Sequence, residues 1–303
     1  MDYMTVKEAS EKWKLSERMI RRYCDQGRIE DVIHVGGFWI IPADAPQPNE
    51  TKPEVIELTA LAKKIIYQRN KNNHFGIYEY IQVNLTYSSN RMASNRLTRE
   101  QVVDLFRTNK VSVSFEPMKV DDIIETINHF ACVRFLVEQI TAPLTPELIK
   151  RLHKILYYGT YADRNKEVRL GEYRNEQKNR GVQPGFIKQE MTSLIAKYES
   201  TQTVTFEVLL DFHVRFEEIH PFDDGNGRVG RLILMKECLR FGIDPFIIDD
   251  KRRGCYNQGI AEWPQDHTLL TGVCLEAQER VTEKQELLRL MNYCRPPSGR
   301  GAR

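Results

Sequence analysis

The chain has 303 residues, and its 44 lysines and arginines nearly balance 42 aspartates and glutamates, which leaves a formal net charge of +2. This length is typical of about two domains, and a hydrophobic content of 41% is enough to build a core. The charge argues against a strongly anionic partner, and no apolar run approaches the ~18 residues that a membrane span needs. The six cysteines lack metal or disulfide spacing and the start lacks a signal-peptide pattern, so we expect a cytoplasmic protein.

Residues 1–45 predict a small domain of two short helices and a β-hairpin. A capping box at Thr5 and Glu8 opens a helix that ends near Trp13. Ser16 opens a second helix, which is expected to stop at Gly27. A glycine pair between two β-prone runs then indicates a hairpin. The predicted strands are 33–35 and 38–41, joined at Gly36 and Gly37.

This order of elements resembles a winged helix-turn-helix domain of the excisionase or MerR type. The second helix would then be the recognition helix, with three arginines near DNA phosphates or bases: Arg18, Arg21 and Arg22. However, acidic residues slightly outnumber basic ones in residues 1–48, whereas dedicated DNA-binding domains usually show a clearly basic face. DNA binding therefore stays open beside a use in protein contacts or in packing.

A polar linker with three prolines, at 46–54, separates this domain from a second one over residues 55–285. Helical periodicity dominates the second domain, so we predict a mainly α fold, an α-helical bundle. The predicted helices are 55–80, 98–107, 120–140, 145–157, 187–199, 203–219, 227–241 and two between 252 and 284. The basic, Pro- and Gly-rich tail over 286–303 is predicted to be disordered.

The most informative stretch of the chain is 220–231, which reads His-Pro-Phe-Asp-Asp-Gly-Asn-Gly-Arg-Val-Gly-Arg. Gly225 and Gly227 flank Asn226 directly before an apolar helical run. Free backbone amides and the helix dipole therefore predict an anion site at this turn. The side chain of Asn226 is expected to cap the helix or to donate to phosphate.

Charged residues around the turn complete a site suited to a nucleotide polyphosphate. Arg228 and Arg231 lie three residues apart on one helix face, where both can bind phosphate oxygens. Asp224 offers the hard oxygen ligand that Mg²⁺ needs, and His220 is a residue type that serves as general base at neutral pH. Each residue alone would be read as solvated or structural, but their combination favours a functional site.

The stretch resembles the Fic-domain signature His-Pro-Phe-x-Asp-Gly-Asn-Gly-Arg-x-x-Arg at every defined position. Weaker matches in family order extend the resemblance over roughly residues 55–285; they lie at 97–101, 128–130, 171–174, 212–219 and Tyr256. The resemblance implies a Fic-type helical bundle with a small β-hairpin flap. It also implies transfer of AMP from ATP to a Ser, Thr or Tyr hydroxyl of a protein, with Mg²⁺.

The resemblance further implies a role for each residue of the motif. His220 would deprotonate the target hydroxyl, and Asp224 would hold Mg²⁺ on the phosphates. The remaining residues would surround the nucleotide: Gly225, Asn226 and Gly227 as an anion hole, Arg228 at the β-phosphate, Arg231 at the γ-phosphate, and Tyr256 at the adenine. Glycine at 227 favours AMP transfer, because family members that act as kinases carry lysine there.

Many Fic proteins carry an inhibitory motif, Ser/Thr-x-x-x-Glu-Gly/Asn, whose glutamate pairs with the second arginine of the active-site motif. The matching run here starts at Ser89 and places Ala93 at the glutamate position and Ser94 at the last one. Alanine has no charge to offer Arg231. We therefore predict that this brake is missing, and that removal of AMP, which needs the same glutamate, is disfavoured.

Residues 175–186 correspond to the family's flap, which holds a target by adding a strand to its edge. The stretch is polar and poor in β-branched residues, so a regular hairpin is doubtful and a polar loop is the alternative. Three histidines on predicted helices, His129, His153 and His213, are expected to be structural.

Three functions stay open at this point. The first is an AMP transferase that modifies a protein, itself included, and a homodimer is among its expected assemblies. The second is a DNA-binding regulator with a nucleotide-sensing or weakly active Fic domain. The third is a nucleotide-binding module with little transfer activity.

Overall fold

The computed structural model describes residues 3–25, 29, 32–35, 37–45, 47, 57–71, 75–111 and 118–293. The chain divides into two compact units, Met1–Val55 and Ile56–Arg303. Gly27, Gly36, most of the linker over 46–54 and the tail beyond 293 lie outside the described residues. Among the described residues, no helix has both the length and the apolar character to cross a membrane.

The first unit packs two helices against a three-stranded antiparallel sheet. Its elements are β1 (Tyr3–Thr5), α1 (Val6–Trp13), α2 (Glu17–Asp25), β2 (Ile33–Val35) and β3 (Phe38–Pro42). The capping box is present, because the Thr5 hydroxyl accepts from the amide of Glu8 and the Glu8 carboxylate accepts from the amide of Thr5. Strand β1 was not expected; it pairs with β3, so that the sheet order is β1-β3-β2.

The core of this unit is apolar, and its second helix exposes the three predicted arginines. Ala9, Ile20 and Ile41 are fully buried at its centre. Arg18, Arg21 and Arg22 are all exposed on α2. Nothing in this arrangement tests the winged helix-turn-helix type, which stays a prediction.

The second unit is a helical bundle, so the mainly α class is confirmed. Its helices are α3 (Ala60–Asn70), α4 (Ile77–Met92), α5 (Arg99–Thr108), α6 (Val120–Glu138), α7 (Pro146–Tyr157), α8 (Tyr161–Arg164), α9 (Pro184–Glu199), α10 (Phe206–Ile219), α11 (Asn226–Phe241), α12 (Arg253–Glu262) and α13 (Thr268–Tyr293). Helix α11 runs through the middle and packs against α4, α6, α7 and α10. It is buried on most sides, as expected for a central helix.

Three element predictions are corrected. The single helix at 55–80 is two helices, α3 and α4, because the polar stretch after Asn70 ends the first and Gly76 caps the second. Helix α13 continues to Tyr293, so residues 286–293 are helical and do not belong to a disordered tail. Leu288 packs against the core, which explains the extension.

The β-hairpin flap is the third correction. Residues 172–183 form bends and irregular chain without a strand, and α9 begins directly after them at Pro184. The polar composition of the stretch offers few side chains that favour a strand.

Candidate active site

His220 sits at the end of α10 in a strained backbone conformation. Its φ is 51°, in the left-handed region, and its amide closes the helix by donating to the Phe216 carbonyl at 3.1 Å. The residue is 7% exposed, and its Nδ1 has no hydrogen-bond partner among the described residues. Burial, followed by the charges of Arg180 and Arg174, lowers the pKa of His220 to about 4. The imidazole is therefore neutral at pH 7 and able to accept a proton.

Buried Arg174 holds the loop that carries His220. Its Nε donates to the His220 carbonyl at 2.8 Å, and its amide donates to the Pro221 carbonyl at 2.9 Å. Its Nη1 and Nη2 donate to the carbonyls of Glu176 and Val182, respectively. One side chain thus fixes the backbone of the loop after α10 and that of residues 176–182.

The side chain of Asn226 is used inside the loop, which corrects its predicted role. Its Oδ1 accepts from the Phe222 amide at 2.9 Å, and its Nδ2 donates to the Phe222 carbonyl at 3.0 Å. Asn226 is the first residue of α11, and Gly225 occupies the cap position. The side chain therefore neither caps the helix nor remains free for phosphate, and only its backbone amide is left for an anion.

Gly225 is required for steric reasons at the start of α11. Its φ is 78°, and a Cβ there would lie 2.5 Å from Cε2 of Tyr157. The N-terminus of α11 lines a cavity of about 330 Å³, which His220 and Asp224 also line. Helix amides facing a cavity of this size are suited to binding an anion.

Asp224 and Arg228 are joined through Tyr157, a residue that the sequence did not single out. The Tyr157 hydroxyl donates to Asp224 Oδ2 at 2.6 Å and accepts from Arg228 Nη2 at 2.5 Å. Burial acts to raise the pKa of Asp224, but the bond from Tyr157 and the charge of Arg228 outweigh it and lower that pKa. Arg228 is only 4% exposed and also pairs with Glu125 at 3.2 Å.

Arg231 contacts the helix that carries the predicted brake position. Its Nε donates to Ser89 Oγ at 3.0 Å, and its Nη2 donates to the Ser89 carbonyl at 3.2 Å. Ala93, at the end of the same helix α4, is exposed and lines the cavity. Ser94 has a φ of 71°, a conformation that favours glycine or asparagine. The structure thus brings the Ser89–Ser94 run to Arg231, with a methyl group at position 93.

Tyr256 lines the cavity, but its hydroxyl is committed to another side chain. Its ring is almost fully buried, and its hydroxyl is hydrogen-bonded to His213 Nε2. Burial, with a smaller effect of Arg231, lowers the pKa of His213 to about 3. These contacts do not test the expected place of the adenine at Tyr256, which stays a prediction.

The other two histidines that were predicted to be structural are buried and hydrogen-bonded. His129 Nδ1 lies 2.9 Å from the Thr86 hydroxyl. His153 Nδ1 accepts from the Gly171 amide, so its Nε2 carries the proton that points at the Asp224 carbonyl, 3.2 Å away. His153 also stacks on Phe222 with ring centroids 4.0 Å apart, and thereby supports the loop from below.

Residues from outside the motif complete the site. Arg180 and Arg253 line the cavity together with Arg228 and Arg231, and Glu217 lies one helical turn before His220. No local pattern could have marked Arg180 or Tyr157, because only the folded chain brings them to the motif.

The chain is similar to known Fic proteins. Residues 143–237 match the model of the Fic/DOC family, which confirms the expected Fic domain. The chain is 26% identical over 163 residues to a probable protein adenylyltransferase of Aquifex aeolicus, and the match covers 46% of this chain and 47% of that protein. It thus spans about half the length of this curated relative.

Solved Fic structures share the fold. A Fic-domain-containing signaling protein from Bacteroides thetaiotaomicron superposes with a TM-score of 0.60 at 18% identity, covering 79% of this chain and 99% of that one. Fic-1 of C. elegans gives a TM-score of 0.60 at 18% identity, covering 77% of this chain and 74% of that one. The Fic-type helical bundle is therefore confirmed.

Proposed function

We propose that this protein transfers AMP from ATP to a hydroxyl group of a protein. The observation that carries the proposal is the pairing of a neutral, buried His220 with the open N-terminus of α11 in one cavity. A base and an anion site side by side suit the transfer of a phosphorus group to a hydroxyl. The Fic domain and the adenylyltransferase name of a relative support the same reaction class.

In the proposed reaction, His220 takes the proton of the acceptor hydroxyl as its oxygen bonds to the α-phosphorus. The bond from that phosphorus to the oxygen bridging to the β-phosphate breaks, and pyrophosphate leaves. Arg231 and the first amides of α11 stabilise the negative charge of the leaving group. Arg228 is held by Tyr157 and Glu125, so it contributes its charge from a fixed position.

The residues present fit a Mg²⁺ ion shared with the nucleotide. The Asp224 side chain is 71% exposed, its low pKa keeps it ionised, and only its Oδ2 is used by Tyr157. Among the described residues, no group of three or more acidic, histidine or cysteine side chains could hold a metal by itself. A single carboxylate is the ligand set expected for Mg²⁺ that is bound mainly by phosphates and water. When bound, the ion would neutralise phosphate charge.

We also propose that the inhibitory brake is absent. Ala93 lines the cavity close to Arg231 but offers no carboxylate, so the position expected for the γ-phosphate stays available. The same absence disfavours removal of AMP from a modified target.

The experiment is a labelling assay with Mg²⁺ and ATP that is radiolabelled at the α- or at the γ-phosphate. We expect label on protein from α-labelled ATP only, and its loss in His220→Ala. His267→Ala is the matched control, because His267 is exposed and pairs with Glu207 outside the cavity. Label from γ-labelled ATP would indicate phosphate transfer, and binding of ATP without labelling would indicate a nucleotide-binding module.

DNA binding through α2 is a second proposal, favoured by the exposure of Arg18, Arg21 and Arg22 on one helix. Arg21 already pairs with Glu17 at 2.8 Å, which reduces the positive charge that is available for DNA phosphates. Binding to duplex DNA should weaken steeply with salt if these arginines contact phosphates. Salt-insensitive or absent binding at low ionic strength would rule the role out.

A further inference from the structure

The segment 175–183 stands where Fic proteins carry a target-binding flap, yet its backbone is tied to the protein itself. The amide of Val182 donates to the Ile219 carbonyl at 3.3 Å, and the Val182 carbonyl accepts from Arg174. The Glu176 carbonyl also accepts from Arg174, at 2.9 Å. An added strand needs such groups to be unpaired, so these positions cannot bind a target by strand addition.

Gly181 allows this segment to pack closely against His220. Its φ is 94°, and a Cβ there would lie 2.6 Å from Arg174 Nη2 and 2.8 Å from the Cβ of His220. No residue other than glycine fits without movement of the loop. The residue before it, Arg180, is thereby fixed beside His220.

Arg180 is an exposed cation that makes no ion pair with the described residues. It lines the nucleotide cavity and also a neighbouring cavity of about 550 Å³, which Val182 and Ala261 line as well. Neither Asp224 nor the N-terminus of α11 reaches this second cavity. Arg180 thus lies where the nucleotide cavity and the second cavity meet.

Two carboxylates also line the second cavity, but neither forms an ion pair with Arg180. Glu218 pairs with Arg215 at 3.0 Å. Glu217 is largely buried, and burial raises its pKa, which disfavours its charged form. The charge beside His220 that has no ion-pair partner among the described residues is therefore the positive charge of Arg180.

We propose that Arg180 selects the acceptor, namely a peptide whose Ser, Thr or Tyr hydroxyl is flanked by Asp or Glu. A carboxylate one or two residues from the acceptor lies about 4–7 Å away along an extended peptide. The guanidinium group of Arg180 can reach that far, because the next residue, Gly181, is in contact with His220. In this chain, the guanidinium of Arg180 provides the contact to the target that the flap of other Fic proteins provides by strand addition. This inference rests on the proposed AMP transfer and adds its substrate class.

The test uses three peptides that differ only in the residues flanking one serine: glutamate, glutamine or lysine. Transfer of AMP to each is compared for the full chain and for Arg180→Glu, Arg180→Gln and Lys178→Glu. The assays are run at pH 8, because loss of Arg180 should raise the pKa of His220 and would otherwise reduce the amount of neutral base. Binding of ATP and self-labelling are measured in parallel.

We expect the wild type to prefer the glutamate peptide by about tenfold or more in kcat/KM, as for one desolvated charge pair. Arg180→Gln should remove this preference, and Arg180→Glu should reverse it. Lys178→Glu should leave the preference unchanged, because Lys178 does not line either cavity.

Three outcomes would overturn the inference. Equal rates for all peptides with the wild type would show that flanking charge is not read. A drop in ATP affinity in Arg180→Glu, with the peptide preference unchanged, would assign Arg180 to the nucleotide. Self-labelling without labelling of any peptide would also refute it, while leaving the proposed transfer intact; the absence of all labelling would refute both.

Discussion

At the scale of single residues, the side chain at position 93 determines whether Arg231 has a carboxylate to pair with. Ala93→Glu would place a charge in the cavity where Ala93 now exposes only a methyl group. We expect ATP affinity and labelling to fall by about tenfold, since an arginine–carboxylate pair of this kind contributes about 1–3 kcal/mol. Measurement of ATP binding and self-labelling checks this.

Ala93→Gln is the control for size, because glutamine fills the same space without a charge. It should leave ATP affinity close to that of the wild type. If Ala93→Glu has no effect on binding or labelling, the assignment of 93 as the lost brake position is wrong.

Tyr157 connects Asp224, the proposed metal ligand, to Arg228, a proposed phosphate ligand. Tyr157→Phe keeps the ring beside Gly225 but removes the hydroxyl that bonds Asp224 and Arg228. We expect the Mg²⁺ concentration for half-maximal labelling to rise by about tenfold, as with other residues that orient metal ligands. Tyr161→Phe, at an exposed tyrosine, should not change it. An unchanged Mg²⁺ requirement in Tyr157→Phe would separate Asp224 from metal binding.

At the scale of elements, the turn into α11 depends on a glycine that no other residue can replace. Gly225→Ala must adopt a φ of 78° and brings a Cβ to 2.5 Å from the Tyr157 ring. Backbone strain of about 1–2 kcal/mol and overpacking of about 1–3 kcal/mol should together lower the free energy of unfolding by several kcal/mol. Urea unfolding measures this loss.

Gly254→Ala is the matched control within a helix. Gly254 lies in α12, has an ordinary backbone conformation, and has no heavy atom within 4 Å of the position that a Cβ would take. Alanine there should be neutral or stabilise the helix by up to about 1 kcal/mol. Similar losses for the two variants would argue against a special role of the Gly225 turn.

The elements that could be predicted are those with local signals. The capping box at Thr5, the helices around 120–157 and the turn at Gly225–Gly227 all follow from residues within a few positions of each other. Strand β1 could not be foreseen, because a three-residue strand is defined only by its partner β3. The tie between Arg174 and the carbonyls of Val182 and His220 likewise depends on the folded chain.

The same limit applies to the candidate site. The motif identified His220, Asp224, Arg228 and Arg231, and these side chains do share one cavity. Sequence reasoning misjudged Asn226, since spacing alone does not show that its amide group bonds Phe222. Residues on distant helices that hold the motif in position cannot be recognised from the local sequence.

At the scale of the whole molecule, buried charges distinguish the centre of the bundle. Lys236 and Glu237 on α11 are fully buried and pair at 2.5 Å, and Arg240 pairs with Glu199 at 2.7 Å. The Tyr198 hydroxyl donates to Glu237 at 2.9 Å. Loss of one partner from such a network is costly, because the remaining charge stays buried. The network therefore fixes the C-terminal half of α11 against the end of α9.

Neutral buried histidines should make the helical unit sensitive to acid. Burial, as the main cause, lowers the pKa of His129 and His213 to about 3 and that of His153 to about 4. Because the unfolded chain takes up these protons near pH 6.5, stability should be flat from pH 8 to pH 7 and fall below that. Each histidine should cost about 2 kcal/mol between pH 7 and pH 5. Urea unfolding across this range gives the slope, which His129→Gln should reduce and His267→Gln should not. A stability that does not change between pH 7 and pH 5 would show that the folded protein takes up these protons as readily as the unfolded chain.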